Sequence, residues 1–266
     1  METTKQHVLI TGATSGIGFE LAKLFAKDLY NLVIVARSQE ELDKTATVLN
    51  NSYGTHVTTL AKDLFLPESA QELYNEIKDK NIRIDILVNN AGHGHYGLFA
   101  DSELEKDLDI IQLNISSLVV LTKLYLKEMV SRGEGKILNL SSVASKSPGP
   151  WNAVYHATKA FVQSFTEAIR YEVKDKGVSI TALLPGATDT DFFNKAGMES
   201  SKGIQDKSKL DDPADVAKDG YEALMAGKDM VVSGTMNKVR VAMTAVTSDE
   251  KATEKMGKMQ EPVSKK

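Results

Sequence analysis

The sequence predicts an α/β fold in which one parallel sheet carries helices on both of its faces. Two observations predict it: short apolar runs alternate with amphipathic stretches of helical period, and the first apolar run leads directly into a glycine-rich turn. No linker, repeat or low-complexity segment interrupts the alternation. We therefore expect one domain over residues 1–236 and a polar C-terminal extension over 237–266, which forms a solvated helix or a frayed tail.

The elements follow from this pattern in chain order. Runs such as 31–36 are almost entirely apolar, which is typical of a strand covered on both faces. The predicted strands span 8–10, 31–36, 56–61, 84–88, 136–140, 178–184 and 229–233. Apolar residues at helical spacing predict helices over 19–26, 42–49, 67–77, 103–130, 153–173 and 213–225.

The turn at 11–18, with the sequence TGATSGIG, predicts a site for a dinucleotide. Gly12 permits a tight turn off the strand, Gly16 lets the backbone approach a pyrophosphate, and Gly18 lets the next helix lie close to the sheet. The N-terminus of that helix offers unpaired N–H groups to phosphates. The glycine spacing is wider than the common fingerprint, so the turn alone also fits a βα connection that binds nothing.

Composition narrows the class of protein. The chain has 266 residues, 26% of them charged, and a net charge of −4, so no basic field suggests a nucleic-acid partner. It contains no cysteine, which excludes disulfides, thiolate metal sites and a cysteine nucleophile. No apolar core of a signal peptide and no uninterrupted apolar stretch of about 18 residues is evident. We expect a cytoplasmic protein that neither binds nucleic acid nor spans a membrane.

The end of the second strand indicates which dinucleotide binds. An acidic residue there hydrogen-bonds the ribose 2′-hydroxyl of NAD, but this chain has Ala36 followed by Arg37. Arginine can bind a 2′-phosphate with two parallel hydrogen bonds, which favours NADP(H). Asp63, after the third strand, is a candidate partner for the adenine amino group. The alternative is that Arg37 is an ordinary surface residue.

A tyrosine and a lysine predict the chemistry. Tyr155 and Lys159 are four residues apart and therefore project from one face of a helix. A nearby ammonium lowers the pKa of a phenol, which lets the tyrosine act as a general acid or base. Ser142 ends the fifth strand, at the sheet edge where such folds bind ligands, and Asn114 interrupts a long helix. Asn114 could bind a water or relieve a distortion of that helix.

These motifs together resemble the short-chain dehydrogenase/reductase family, of the NADP(H)-preferring type. The resemblance rests on the glycine turn, Asn-Asn-Ala-Gly at 89–92, Asn114, Ser142, Tyr155-x-x-x-Lys159 and Pro-Gly-x-x-x-Thr at 185–190, and it extends over about 6–234. It implies a single Rossmann-type doubly wound sheet of about seven strands in the order 3-2-1-4-5-6-7. One departure is Ser15, where other NADP-preferring members carry a basic residue, so the preference depends on Arg37.

The resemblance also implies roles for individual residues. Tyr155 is the general acid/base, Lys159 lowers its pKa and binds the nicotinamide ribose, Ser142 orients the substrate oxygen, and Asn114 holds a water in a proton relay. The implied cofactor-binding residues are Gly12, Thr14, Ser15, Gly16, Ile17, Gly18, Arg37, Asp63, Leu64, Asn90, Ala91, Gly92, Tyr155, Lys159, Pro185, Gly186, Thr188 and Thr190.

The sequence indicates less about the substrate than about the cofactor. Beside Ser142, the candidate substrate-binding residues are His93, Tyr96, Trp151, Phe192 and Phe193, whose aromatic character suggests a moderately hydrophobic carbonyl or alcohol. His93 and His95 lack a third ligand, so we expect no metal site. Residues 188–212 are expected to form a lid over the site. Apolar coverage of the two long helices, including Leu118, Leu121, Tyr125 and Met129 on the first, predicts a homodimer or homotetramer.

The predicted function is NADPH-dependent transfer of hydride to a ketone or aldehyde. A non-catalytic NADP(H)-binding sensor and an isomerase or dehydratase on the same scaffold are the alternatives. A sensor would not need Ser142, Tyr155, Lys159 and Asn114 together. A P-loop kinase or ATPase is excluded because no Gly-Lys-Ser/Thr follows the glycines.

Overall fold

Seven strands form the sheet that the sequence predicts, in a computed structural model that describes residues 5–263. The strands are β1 (His7–Thr11), β2 (Asn31–Ala36), β3 (Val57–Ala61), β4 (Ile86–Asn89), β5 (Gly135–Leu140), β6 (Val178–Leu184) and β7 (Met230–Val232). All neighbouring pairs are parallel, and their order is β3-β2-β1-β4-β5-β6-β7. The predicted strand order is therefore confirmed.

Helices cover both faces of the sheet. They are α1 (Gly16–Lys27), α2 (Gln39–Tyr53), α3 (Ser69–Asp79), α4 (Leu104–Ile111), α5 (Leu118–Arg132), α6 (Ala153–Glu172), α7 (Phe192–Lys195), α8 (Pro213–Met225), α9 (Thr235–Thr244) and α10 (Asp249–Gln260). Side chains of β1 alternate between two cores: Val8 and Ile10 belong to one, and Leu9 belongs to the other. The sheet thus separates two apolar layers, as expected for this fold.

Local chemistry sets several helix boundaries. Ser38 begins α2 by accepting a hydrogen bond from the Glu41 amide at 3.3 Å, and Gly54 ends it in the left-handed conformation with φ +64°. Asp212 caps α8 in the same way at 2.8 Å, with Pro213 in the first helical position. The predicted start of α3 at residue 67 is two residues early, because the Leu66 carbonyl accepts from the Ser69 amide within a preceding turn.

The predicted helix over 103–130 is continuous from 104 to 132, but its middle is π-helical. The π-helical segment Gln112–Ser117 joins α4 to α5. Among residues 5–263 this is the one helix with the length and composition to cross a membrane, with a hydropathy of 1.3 in its most apolar window. Packing on the sheet accounts for part of its apolar character, because 44% of that window is buried and Tyr125 and Met129 lie in the core.

The C-terminal extension, expected to be a solvated helix or a frayed tail, contains two helices that are anchored at a few points. Residues 235–260 form α9 and α10, and α9 begins before the expected boundary at 237. Gly257 and Gln260 of α10 are buried, although most of that helix is exposed. Backbone bridges also join Ser201 to Pro262. The tail is therefore held against the domain by a few residues near its end, which a polar composition conceals.

Candidate active site

The glycine-rich turn forms a cradle between β1 and α1. Gly12 and Gly16 have φ of +66° and +53°, which glycine adopts without strain. Asn90, which follows β4, donates from Nδ2 to the carbonyls of Thr11 and Gly12 at 2.8 Å each. A Cβ at Gly18 would lie 2.2 Å from the Gly12 carbonyl oxygen and 2.3 Å from Asn90 Nδ2. The glycines therefore let Asn90 hold the turn in shape.

The start of α1 suits a phosphate group. Its N-cap residue, Ser15, makes no side-chain hydrogen bond to the first turn, so that turn's N–H groups have no side-chain acceptor. Those donors and the helix dipole favour a negatively charged ligand. The residues of the turn thus fit a dinucleotide, and the predicted members Gly12, Thr14, Ser15, Gly16, Ile17 and Gly18 all line one cleft with a volume of about 840 Å³.

Arg37 lies at the end of this cleft that follows β2. Its guanidinium is 5.3 Å from the centre of the Phe65 ring, and within residues 5–263 no carboxylate pairs with it. The neighbouring Lys62 is paired instead, 3.4 Å from both Glu72 and Glu76. Asp63 also lines the cleft, but its Oδ1 accepts from the Phe65 amide at 3.1 Å and so stabilises its own turn.

Ser142, Tyr155 and Lys159 come together at the carboxyl edge of the sheet. Lys159 Nζ donates to the Leu140 carbonyl at 2.8 Å and lies 5.7 Å from the centre of the Tyr155 ring. Ser142 Oγ accepts from the Ala144 amide at 3.1 Å. Ser141 and Ser142 both line the cleft, but Ser141 Oγ donates to the Lys159 carbonyl at 2.9 Å and so fixes α6.

Asn114 is buried next to Lys159 and holds the loop after β4 by hydrogen bonds. It is 1% exposed, accepts from the His93 amide at 2.9 Å, and donates to the His93 carbonyl and to Thr158 Oγ1. A Cβ at Gly92 would lie 3.4 Å from both Asn114 Oδ1 and Lys159 Nζ, so these two atoms flank one point. Asn114 therefore fastens the loop after β4 beside Lys159, and its part in a proton relay stays a prediction.

The rest of the predicted cofactor set lines the same cleft. These residues come from the ends of β3, β4 and β6, and they are Asp63, Leu64, Asn90, Ala91, Gly92, Pro185, Gly186, Thr188 and Thr190. Parallel strands present their carboxyl ends at one edge, which is why residues so distant in sequence meet there. The whole set thus surrounds one continuous cleft that ends at Tyr155.

Comparisons with known proteins agree with this geometry. The model of the short chain dehydrogenase family matches residues 6–200. Dehydrogenase/reductase SDR family member 7B of Danio rerio is 32% identical over 237 residues, which cover 85% of this chain and 77% of that protein. Very-long-chain 3-oxoacyl-CoA reductase of Anas platyrhynchos is 34% identical over 183 residues, covering 66% of this chain and 58% of that protein.

A solved structure extends the likeness to three dimensions. The short-chain dehydrogenase from Sphingobium yanoikuyae, in complex with NADPH, has a TM-score of 0.81 and 28% identity, with 91% of this chain and 96% of that one covered. The chain belongs to the short-chain dehydrogenase/reductase family. It is therefore an oxidoreductase that takes a nicotinamide cofactor, as the motifs predict.

Burial controls the ionisation of the two residues on α6 in this short-chain dehydrogenase. It raises the pKa of Tyr155 to about 12, and a hydrogen bond with Ser142 opposes the rise. It lowers the pKa of Lys159 to about 8. The sequence predicts that Lys159 lowers the pKa of Tyr155, but in the protein chain alone the cost of burying a phenolate raises it instead.

The Lys159 shift predicts a pH-dependent stability. Unfolded, the lysine has a pKa of 10.5, so between pH 8 and 10.5 the unfolded chain binds more protons than the folded one. The free energy of unfolding then rises with pH in this window, and below pH 8 the cost of burying the ammonium is fully present. Urea unfolding should show this rise in the native chain and not in Lys159→Met; equal slopes would contradict the assignment.

The substrate end of the cleft is lined by some of the residues expected there and not by others. His93, Phe192 and Phe193 line it, and the Phe192 ring centre is 5.2 Å from that of Tyr155. Tyr96 and Trp151 do not. The Tyr96 hydroxyl donates to the Gln260 carbonyl, and the Trp151 carbonyl accepts from the Gly97 amide. Both were expected to contact substrate because they are aromatic, but they fasten loops behind the cleft wall.

Residues 188–212, the predicted lid, contribute part of the wall of the cleft. Its ends are joined by a bridge between Thr188 and Asp211, and Met198 and Ile204 face the cleft from it. Among residues 5–263, no group of three His, Cys, Asp or Glu side chains could hold a metal ion.

Several lining residues have no counterpart among the predictions. They come from the start of α6 and from α9 and α10, and they include Asn152, His156, Arg240, Met256, Met259 and Gln260. The pair Met256 and Met259 has the i, i+3 spacing of a buried helix face, which was the one available signal. Its polar, lysine-rich surroundings mask that signal.

Proposed function

We propose that this short-chain dehydrogenase/reductase is an NADPH-dependent carbonyl reductase that converts a ketone or aldehyde into an alcohol. The observation that carries the proposal is the meeting of Ser142, Tyr155 and Lys159 at the end of a cleft whose other half is the glycine cradle. NADPH, when bound in that cradle, supplies the hydride. The Very-long-chain 3-oxoacyl-CoA reductase among the relatives is by name a reductase of an oxo group, which supports the direction.

The side chains handle the proton. Ser142 Oγ donates a hydrogen bond to the carbonyl oxygen and holds it beside Tyr155. The Tyr155 hydroxyl gives its proton to that oxygen as the C=O bond becomes C–OH. Once Tyr155 has given up its proton, the Lys159 ammonium can replace it. Lys159 is the stronger acid of the two, because its pKa is about 8 and that of Tyr155 is about 12. Tyr155 is thereby reset for the next turnover.

Arg37 supports NADPH over NADH. It lies at the end of β2, where Ala36 leaves no carboxylate to repel a 2′-phosphate. No acidic side chain among the described residues neutralises it, so its guanidinium is available to a phosphate. The NADPH complex of the Sphingobium relative supports the same preference.

Arg37→Ala tests the cofactor assignment. A hydrogen bond to a charged partner contributes about 1.5–3 kcal/mol, so we expect the variant to bind NADPH about 10- to 100-fold more weakly. NADH binding should hardly change, because NADH has no 2′-phosphate. Nicotinamide fluorescence titration measures both. Lys44→Ala is the matched control, because Lys44 is an exposed cation on α2 that does not line the cleft. Equal loss for both cofactors would contradict the proposal.

We also propose a homodimer or homotetramer in the cytoplasm. The apolar residues Leu118, Leu121, Tyr125 and Met129 are buried in the chain's own core, so they form the face of the long helix that packs on the sheet. The same long helices still expose a different apolar surface: Leu104 is 62% exposed, Leu108 52% and Phe161 40%. An exposed apolar surface of this kind is typical of a subunit contact, and this supports the assembly. Light scattering after size exclusion tests it, and a monomer would contradict it.

A further inference from the structure

Gln260, the last residue of α10, is held firmly in the wall of the cleft. It is 8% exposed, and its carbonyl accepts a hydrogen bond from the Tyr96 hydroxyl. The residues after it pair with the lid: the Glu261 carbonyl accepts from the Lys202 amide at 3.2 Å, and the Val263 amide donates to the Ser200 carbonyl at 2.7 Å. The side chain of Gln260 is therefore fixed relative to both the lid and the loop after β4.

A chain of hydrogen bonds determines how its amide group points. His156 Nδ1 lies 2.8 Å from the Ser147 carbonyl, which can only accept, so Nδ1 carries the proton. Burial lowers the pKa of His156, which leaves the ring neutral and Nε2 an acceptor. Gln260 Nε2 lies 3.0 Å from that atom and must be the donor. Its Oε1 is then directed away from His156.

That oxygen has no partner within the described residues. Gln260 Oε1 is buried and makes no hydrogen bond, and the same holds for Asn152 Oδ1. Asn152 is 3% exposed, and its Nδ2 contacts the Met198 sulfur at 3.7 Å. Native proteins seldom leave buried polar atoms unpaired, and those that remain so commonly meet a ligand or a water. Both side chains line the cleft.

Both amide groups also lie close to the proton donor. Asn152 precedes Tyr155 by three residues at the start of α6, and His156, the partner of Gln260, follows Tyr155 directly. The Tyr155 and His156 ring centres are 6.2 Å apart. A substrate group that reaches these oxygens therefore lies in the part of the cleft next to Tyr155.

We propose that Gln260 and Asn152 accept hydrogen bonds from the substrate, so that the enzyme selects ketones bearing a hydroxyl group beside the carbonyl. This inference rests on the proposed reductase function and specifies its substrate class. The α10 helix thereby contributes a specificity-determining residue. An apolar ketone of equal size would leave the two buried oxygens without donors, and its transition state would be less stable in this site.

Hydroxyacetone and butanone are suitable probes, since they differ by a hydroxyl in place of a methyl group. The ratio of their kcat/KM values with NADPH is divided by the ratio of their borohydride reduction rates, which removes the intrinsic reactivity of the carbonyl. We expect the native enzyme to prefer hydroxyacetone by about tenfold or more on this corrected scale. Gln260→Met, which keeps the length but removes the acceptor, should lose most of that preference.

The controls separate selectivity from folding. The NADPH affinity of Gln260→Met should match that of the native chain, although its melting temperature should fall because His156 Nε2 loses its donor. Lys258→Met, at an exposed residue of the same helix, should keep the full preference. If Gln260→Met does not fold, the corrected ratio of the native enzyme decides alone. A native ratio near one, or an unchanged ratio in folded Gln260→Met, overturns the inference. Failure to reduce any carbonyl compound despite NADPH binding overturns the proposed function, and this inference with it.

Discussion

Tyr155→Phe is expected to lower kcat for carbonyl reduction by about 10²–10⁴-fold, because it removes the proton donor and keeps the ring. The ring still packs against Phe192 at 5.2 Å, so the shape of the cleft is preserved. The pKa of Tyr155, about 12, means that the native hydroxyl stays protonated at neutral pH and is competent to donate. Steady-state oxidation of NADPH with a reducible ketone measures the loss.

The affinity for NADPH distinguishes this loss from a defect in folding. It should change little in Tyr155→Phe, because the cradle at 12–18 and Arg37 are untouched. Tyr171→Phe is the matched control, since Tyr171 lies at the far end of α6 and is 71% exposed. It should keep full activity. Retention of activity by Tyr155→Phe would rule out this tyrosine as the proton donor.

Gly18→Ala is expected to abolish measurable NADPH binding and to destabilise the fold. The added Cβ would meet the Gly12 carbonyl oxygen at 2.2 Å and Asn90 Nδ2 at 2.3 Å, and one of these is backbone. Overpacking of this kind costs about 1–3 kcal/mol, and here it can be relieved only by moving the turn that would hold the phosphates. Fluorescence titration with NADPH and thermal unfolding measure the two effects.

Gly97→Ala is the control, because it makes the same glycine-to-alanine change at a position where the added methyl group has room. A Cβ at Gly97 has no atom within 4 Å outside its neighbours in the chain, and the residue does not line the cleft. This variant should bind NADPH as the native chain does. If Gly18→Ala also bound NADPH normally, Asn90 would have to move without disturbing the turn. The shape of the cradle would then not depend on the packing described here.

The sequence predicts β2, β6 and α8 to the residue, and the reason is physical. A parallel strand with a helix on each face is largely apolar, so 31–36 stands out from its polar flanks, and so does 178–184, in which only Ser179 and Thr181 are polar. Asp212-Pro213 likewise marks the first turn of α8. The cofactor cleft is predictable for a related reason: each motif ends a strand, and parallel strands bring those ends to one edge.

The substrate end is not predictable in this way. It depends on pairings such as Tyr96 with Gln260 and His156 with Gln260, which are separated by 164 and 104 residues. Nothing in the local pattern of a polar tail indicates such partners. When apolar residues occur all around a long helix, the sequence also does not show which face of the helix packs on the sheet. Tyr125 and Met129 therefore belong to the core, although the sequence equally fits a subunit contact.

The way in which the C-terminal segment is attached to the lid has an evolutionary consequence. The bridge between Ser201 and Pro262 and the bond from the Val263 amide to Ser200 are made by backbone groups, so they tolerate many side chains. The cradle and Tyr155, by contrast, are fixed by side-chain geometry elsewhere. Apart from side chains such as Gln260, which is paired with His156, residues 235–263 can thus vary between related enzymes. A lineage can acquire a new preference there while its machinery for proton transfer stays unaltered.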